Sequence, residues 1–317
     1  MLNQTKDLGS WPSYSEDEQQ AVLRVLKSNK VNYWTGNEGR KFENEFSQFT
    51  NSSYSIALAN GTVALELALN ALDVSVNDEV IVTSRTFLAS VSSIVSLGAK
   101  PIFADVDLNS QNITADNISK LITPHTKVII CVHLAGWPCD MDPIIDLAKE
   151  NDIFIVEDCA QAHGARYNNQ PVGSIGDIGC WSFCQDKIMT TGGEGGMVTT
   201  NNRLLWKKMW SYKDHGKSWD AVYGKNHSKG FRWLHESFGT NFRMTEMQAA
   251  IGRVQLTLMD QWHLKRKENS NLIWSAAKKS PLFRVPDIPK NISHAAYKCY
   301  IFVDGSEVDR DNILKIF

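Results

Sequence analysis

The chain has 317 residues, 43% of them hydrophobic and 21% charged, which is a globular composition and excludes an intrinsically disordered chain. A formal net charge of −2 gives no electrostatic drive toward nucleic acid or an anionic membrane. No apolar run is long enough to span a bilayer, and the N-terminal residues 1–7 lack the apolar core of a signal peptide, so the expected setting is the cytoplasm.

In chain order, Ser15-Glu16-Asp17-Glu18 is a capping box that opens an amphipathic helix through about Leu26. Apolar runs come next at Tyr54–Leu58, Glu79–Thr83, Pro101–Val106, Lys127–Val132, Ile153–Glu157 and Gly179–Phe183, with helical patterns between most of them. This alternation predicts an α/β fold with a mostly parallel sheet covered by helices. From Thr245 to about Ala277 one long helical pattern runs, apolar at Met247, Ala250, Ile251, Val254, Leu256 and Leu258. It leads toward a smaller C-terminal α+β domain whose first strand is expected at Tyr300–Val303. The expected division is a large domain over 1–250 and a small one over 251–317. The apolar tail Asp311–Phe317 has no obvious finish, so the small domain is expected to be incomplete.

The run from Trp181 to Gly196 carries the chemistry. Lys187 comes after an apolar strand and precedes Gly192-Gly193-Glu194-Gly195-Gly196, which fixes it in place and leaves it reachable. Such an amine can form a Schiff base with a carbonyl cofactor. Upstream, Ile153–Asp158 reads as a buried strand with Asp158 at its C-terminal end, where ligands bind in open α/β sheets. Asp158 either pairs with the pyridine nitrogen of pyridoxal phosphate or caps the next helix. Gln161, three residues on, is within reach of the ring's 3-oxygen. Ala57–Leu69 reads as strand, turn and helix, with Gly61 and Thr62 at the helix start, where free amides and the helix dipole attract an anion. Alternatively, Thr62 is a helix cap without a ligand. The glycine run lacks G-x-G-x-x-G spacing and leads into the strand Met197–Thr200, so it is not a dinucleotide loop.

Six cysteines are present, and Cys131, Cys159 and Cys180 fall in or beside apolar strands, as small hydrophobes do. Cys180 and Cys184 with His133 or His163 lack paired zinc-knuckle spacing, so no metal is expected.

On these landmarks the chain resembles the DegT/DnrJ/EryC1/StrS family of pyridoxal-phosphate-dependent nucleotide-sugar aminotransferases, of the aspartate aminotransferase (type I) fold. The similarity runs from about Tyr33 to the end. It rests on Asn60–Leu65, Thr86-Phe87, Gly98–Pro101, Glu157–Gly164, the lysine run and Asn241–Ala250, all in order. The resemblance implies that Lys187 is the cofactor-linked lysine and proton shuttle, and that Asp158 pairs with the pyridine nitrogen. It implies that Phe87 stacks on the cofactor, Gln161 touches its ring oxygen, and Gly61, Thr62 and Ser182 hold its phosphate. Asn241 is implied to reach the phosphate in the neighbouring subunit of a homodimer. The chain departs from the family in having two glycines, Gly192 and Gly193, before Glu194, and in stopping some tens of residues early.

Ser211–Ser237 is rich in lysine, histidine and aromatics and reads as a solvated loop, or as one that folds over the neighbouring site with Lys217 and Arg232 meeting a substrate diphosphate. Trp34 and Trp137 either line the sugar pocket or belong to the core. The implied reaction moves an amine from an amino donor, L-glutamate by resemblance, to a ketone on a nucleotide-linked deoxysugar such as a 4-keto-6-deoxy sugar, in surface polysaccharide or glycan biosynthesis. A dehydratase of the same fold, in which histidine replaces the lysine, and a catalytically silent regulatory homologue are the other readings.

Overall fold

The structure is a computed structural model, and it describes residues 11–224 and 234–303. Its centre is a seven-stranded sheet built from β1 (Tyr54–Leu58), β2 (Glu79–Thr83), β3 (Lys100–Ala104), β4 (Thr126–Val132), β5 (Phe154–Asp158), β8 (Ile178–Ser182) and β9 (Gly196–Thr200). Between β5 and β8 lie two short strands, β6 (Arg166–Tyr167) and β7 (Gln170–Pro171). The order across the sheet is β1-β9-β8-β5-β4-β2-β3. All neighbours are parallel except β9, which runs antiparallel to both β1 and β8. Each predicted strand is present within one or two residues of its expected bounds.

Helices cover both faces. They are α1 (Glu16–Ser28), α2 (Glu38–Phe49), α3 (Gly61–Ala71), α4 (Ala89–Ser96), α5 (Ala115–Ser119), α6 (Met141–Glu150), α7 (Arg203–Tyr212), α8 (Trp219–Tyr223) and α9 (Glu246–Ala277). Strand side chains alternate between faces. Ile56, Leu58, Val80, Val82, Val128 and Ile130 therefore pack with Leu67 and Leu69 of α3 and Met209 and Trp210 of α7. Their odd-numbered neighbours serve the other face. Ala57 packs with Phe42 and Phe46 of α2 and Met259 of α9, while Ile81, Ile129 and Cys131 meet Met141 and Ile144 of α6. Each such fully buried aliphatic or aromatic side chain contributes roughly 1.5–3 kcal/mol, so the sheet is clamped from both sides.

The helix-start signal at Ser15 holds in detail. Ser15 and Glu18 form the reciprocal capping box of α1, and Thr245 with Gln248 forms another at α9. The long helix spans Glu246–Ala277, as its periodicity predicts, and passes without a break through position 250.

Two expectations are corrected. Tyr300–Val303 does not supply the first strand of the C-terminal part. β10 (Phe283–Arg284) comes first, β11 (Ile292–Ser293) pairs back onto β6, and β12 (Phe302–Val303) closes antiparallel on β10. Two-residue strands carry too little alternation to be read from sequence. The segment 211–224 is not a solvated loop. Lys213 is fully buried, its Nζ 3.7 Å from Glu43 Oε1 and 3.7 Å from the Tyr33 ring centre. Burial depresses its pKa, opposed by Glu43 and Asp214. Trp219 and Tyr223 of α8 stack into an aromatic group with Trp206 and Trp210. No helix among the described residues is long and apolar enough to cross a membrane.

Candidate active site

Beyond β8 the chain folds back on itself and holds Lys187. Phe183 N–H donates to Gly195 O at 2.8 Å, Gln185 N–H to Gly193 O at 3.0 Å and Thr191 N–H to Phe183 O at 3.2 Å. The fold-back needs positive φ at Gly192 (88°) and Gly193 (120°), a region glycine enters without a Cβ penalty. Both glycines of the unusual pair are thus used by the backbone. Gln255 of α9 accepts from Thr190 N–H at 2.8 Å and ties the loop to the long helix. The Lys187 side chain is 14% exposed, with Nζ 3.0 Å from Asp186 Oδ2.

Tyr297 donates its hydroxyl to the same Asp186 oxygen at 2.5 Å. Burial raises the pKa of Asp186, but Tyr297 and Lys187 outweigh it and hold the carboxyl down at about 2. Asp186 is therefore a fixed anion beside the lysine.

Asp158 ends β5. Its Oδ2 accepts Ser90 Oγ at 2.7 Å and its Oδ1 accepts Ala160 N–H at 3.1 Å. Burial pushes its pKa up, and those two donors with His133 and Lys187 offset this only in part. A buried carboxylate in this condition gains from a cationic N–H partner. Its neighbour Glu157 has the opposite environment. Its two oxygens accept from His133 Nε2 and from the amides of Gly173, Ile175 and Gly176 at 2.8–3.0 Å. Burial is outweighed there by His133 and the amides, and the carboxyl is held low. Glu157, His133 and Cys159 are close enough to suggest a metal cluster, but the Glu157 oxygens are already filled by four donors, and His133 Nδ1 accepts Cys139 N–H at 3.0 Å. The cluster anchors β5.

A third element completes the site. Asn60, not Thr62, is the N-cap of α3, its Oδ1 accepting Val63 N–H at 3.0 Å. This leaves the Gly61 and Thr62 amides at the helix start for another acceptor. A Cβ at Gly61 would lie 2.6 Å from the Ser182 Cβ, so the glycine lets the start of α3 meet the end of β8.

These elements enclose one cavity of about 550 Å³. Gly61, Thr62, Phe87, Asp158, Gln161, Ser182 and Lys187 all line it. Phe87 is 71% exposed on its wall, in the loop after β2. Gln161 Oε1 accepts Ala135 N–H at 2.7 Å, which leaves its amide N–H groups as donors. Sequence reasoning misses Ser90, Cys184, Asp186, Glu194 and Tyr297. Asp186 adjoins Lys187 and Glu194 sits in the glycine run, so both are within reach of a local reading. Ser90 and Tyr297 arrive by tertiary folding, with no local signal.

The remaining expected residues lie elsewhere. Trp34, Lys217 and Asn241 gather around the buried Asp214. Trp34 Nε1 donates to its Oδ2 at 2.7 Å, Lys217 Nζ and Arg243 Nη1 lie 2.8 and 2.7 Å from its Oδ1, and Asn241 forms a backbone bridge with it. None of these lines the cavity of its own chain. Trp137 is buried at 5% exposure against His294 and does not line the cavity either. It is a core residue here because the tight turn at Leu134–Gly136 directs it inward. Arg232 lies outside the described residues.

The cavity fits pyridoxal phosphate on its own chemistry. A strand-end lysine amine, a buried carboxylate whose desolvation its neighbours offset only in part and a helix N-terminus with free amides are the three functions that aldehyde, pyridine nitrogen and phosphate require.

A sequence model of the DegT/DnrJ/EryC1/StrS aminotransferase family matches residues 12–317. The chain is 41% identical over 261 residues to GDP-perosamine synthase of Escherichia coli O157:H7, covering 82% of this chain and 68% of that protein. Its fold superposes on an aminotransferase from Psychrobacter cryohalolentis with a TM-score of 0.95 at 55% identity, covering 97% of this chain and 81% of that one. It also matches the PLP form of the putative sugar aminotransferase Spr1654 from Streptococcus pneumoniae, with a TM-score of 0.85 at 28% identity, covering 96% and 80% of the two chains.

Proposed function

Because the chain belongs to the DegT/DnrJ/EryC1/StrS aminotransferase family and is a pyridoxal-phosphate-dependent aminotransferase, we propose that it aminates a ketone on a nucleotide-linked deoxysugar, with L-glutamate as donor. A 4-keto-6-deoxy sugar destined for surface polysaccharide, including O-antigen, is the substrate class we assign. The reading is supported by the likeness to a GDP-linked aminosugar synthase and by a cavity roomy enough for a sugar beside a cofactor. The observation that carries it is the convergence of Lys187 and Asp158 on one cavity.

When bound, the cofactor supplies an electron sink and a temporary acceptor for the amine. Lys187 Nζ moves the proton to and from the reacting carbon, and Asp186 holds that amine in place between turnovers. Asp158, its orientation fixed by Ser90, would hold the ring nitrogen protonated. The Gly61 and Thr62 amides and the Ser182 hydroxyl bind the phosphate. Phe87 and Gln161 line the same cavity, where Phe87 would cover the ring and Gln161 would donate to its oxygen.

The proposal includes a homodimer with shared sites. The location of Asn241 and Lys217 outside their own chain's cavity is compatible with a role at a neighbour's site. It also includes a cytoplasmic setting, which the six free cysteines favour. The division into a large domain over 1–250 and a smaller one over 251–317 is kept as a proposal, with α9 as the connection.

Incubation of the purified enzyme with glutamate and a panel of GDP-, UDP- and dTDP-linked ketosugars tests the reading, with the amino sugar detected by mass spectrometry. Lys187→Ala should remain folded and give no product. Deamination of glutamate without amination of any nucleotide-linked ketosugar would overturn the substrate assignment.

A further inference from the structure

We propose that Arg85, with Lys298 as a second cation, forms the cationic mouth of the cavity and holds the diphosphate of the nucleotide-linked substrate. This rests on the substrate reading. The starting observation is a charge imbalance. Among the described residues the cavity lining carries three carboxylates, Asp158, Asp186 and Glu194, against one cation, Lys187. That cation is already paired with Asp186 at 3.0 Å. A diphosphate entering past these acids needs opposing charge that the lining does not provide.

Arg85 is placed to supply it. It directly precedes Thr86 and Phe87, which line the cavity, in the loop from β2 to α4. It is exposed, and its guanidinium carbon lies 5.4 Å from the ring centre of Tyr300. Among the described residues no carboxylate pairs with it. Lys298 is in the same condition. It is exposed, its Nζ lies 5.7 Å from the Tyr297 ring, and no described carboxylate pairs with it. Two cations held by aromatic faces remain free to bind an anion.

The segment that carries Lys298 and the Tyr300 ring against Arg85 is fixed in place. Ala295 N–H donates to Gly136 O at 2.8 Å, Lys298 N–H to Ala135 O at 3.1 Å, and Trp274 Nε1 to Tyr300 O at 3.0 Å. Tyr297 faces the reacting end, with its hydroxyl on Asp186 and its ring 5.4 Å from Lys187 Nζ. Arg85 is exposed and adjoins the lining residues Thr86 and Phe87, and Tyr300 lies against it, so this end of the wall stands at the rim. That order separates the two substrates. The α-carboxylate of an amino donor sits on the reacting carbon itself. The diphosphate of a nucleotide-linked 4-ketosugar sits across the hexose ring from it. Cations at the rim match the second arrangement, and the arginine fork suits bidentate phosphate binding.

The test is calorimetric binding of UDP, GDP and dTDP to the holoenzyme, at low and high salt, for wild type, Arg85→Ala, Arg85→Lys and Lys298→Ala. The nucleotide that binds wild type should bind Arg85→Ala at least about tenfold more weakly, with a reduced salt dependence. Arg85→Lys should lie between them, and Lys298→Ala should show a smaller loss. The dependence of the donor half-reaction on glutamate concentration should not change. Equal nucleotide affinity in wild type and Arg85→Ala would overturn the assignment, as would a rise in the glutamate requirement of Arg85→Ala. If wild type binds none of the three nucleotides, the nucleotide-linked substrate reading itself fails, and this proposal with it.

Discussion

Gly61 and Ser182 touch so closely that no side chain fits between them: a Cβ on Gly61 would lie 2.6 Å from the Cβ of Ser182. One residue opens α3 and the other closes β8, far apart in sequence, and both line the cavity at the end we assign to the phosphate. Gly61→Ala should therefore force the strand end away from the helix start. We expect the protein to fold with a lowered melting temperature and to bind pyridoxal phosphate at least about tenfold more weakly, since charge-assisted contacts to the phosphate are lost. Equilibrium dialysis of the cofactor measures this. Wild-type affinity would show that the contact is not needed for phosphate binding.

Asp158→Asn keeps the shape and the bond from Ser90 but removes the charge that favours a protonated ring. Turnover should fall by roughly 10²-fold or more, in the range found when one stabilising polar group is lost from an active site. Cofactor affinity should fall much less, because the phosphate contacts are untouched. Steady-state kinetics and a cofactor titration on the same preparation separate the two effects. Unchanged turnover would remove Asp158 from its role.

His163 is fully buried between Trp181 and Phe183, with ring centres 5.3 and 5.6 Å away. Burial, aided by Lys187 and Arg266, depresses its pKa from the ordinary histidine value to about 3. The folded state therefore holds it neutral while the unfolded chain protonates it near 6.5. Its stabilising contribution is complete above about pH 6.5 and is lost as pH falls toward 3. His163→Phe should be less sensitive to acid across that window. Urea denaturation of both proteins at several pH values checks this, and parallel stability curves would refute it.

The shared-site proposal predicts complementation. Asn241 lies outside its own chain's cavity, so in a mixed dimer a Lys187→Ala chain can lend its Asn241 to a partner carrying Asn241→Ala. One site then holds both residues and the other holds neither. Mixing the two defective proteins under subunit exchange should restore activity, up to about one competent site per heterodimer, provided that Asn241→Ala is itself impaired by losing a phosphate contact. Absence of recovery, with heterodimers demonstrated by mass spectrometry, would place Asn241 in a structural turn.

The sheet strands, the helix starts and most of the candidate cofactor residues are written locally in the chain. Strand alternation and capping boxes are signals of neighbouring residues: Tyr54–Leu58 must bury both faces, and Thr245 must cap the helix that begins at Glu246. Lys187, Asp158 and Gly61 are legible because each stands near the end of a strand or the start of a helix, where a parallel sheet gathers its ligand groups. Folding alone settles what surrounds them. Tyr297 reaches Asp186 across 111 positions, Ser90 reaches Asp158 across 68, and Trp137 turns into the core although its sequence suits a pocket equally well. No periodicity encodes these meetings. They arise from the sheet order, which brings β5 beside β8, and from the return of the chain after α9 to Ala135 and Gly136. A contact between distant segments has an energy only once both are folded, so it leaves no pattern in either segment alone.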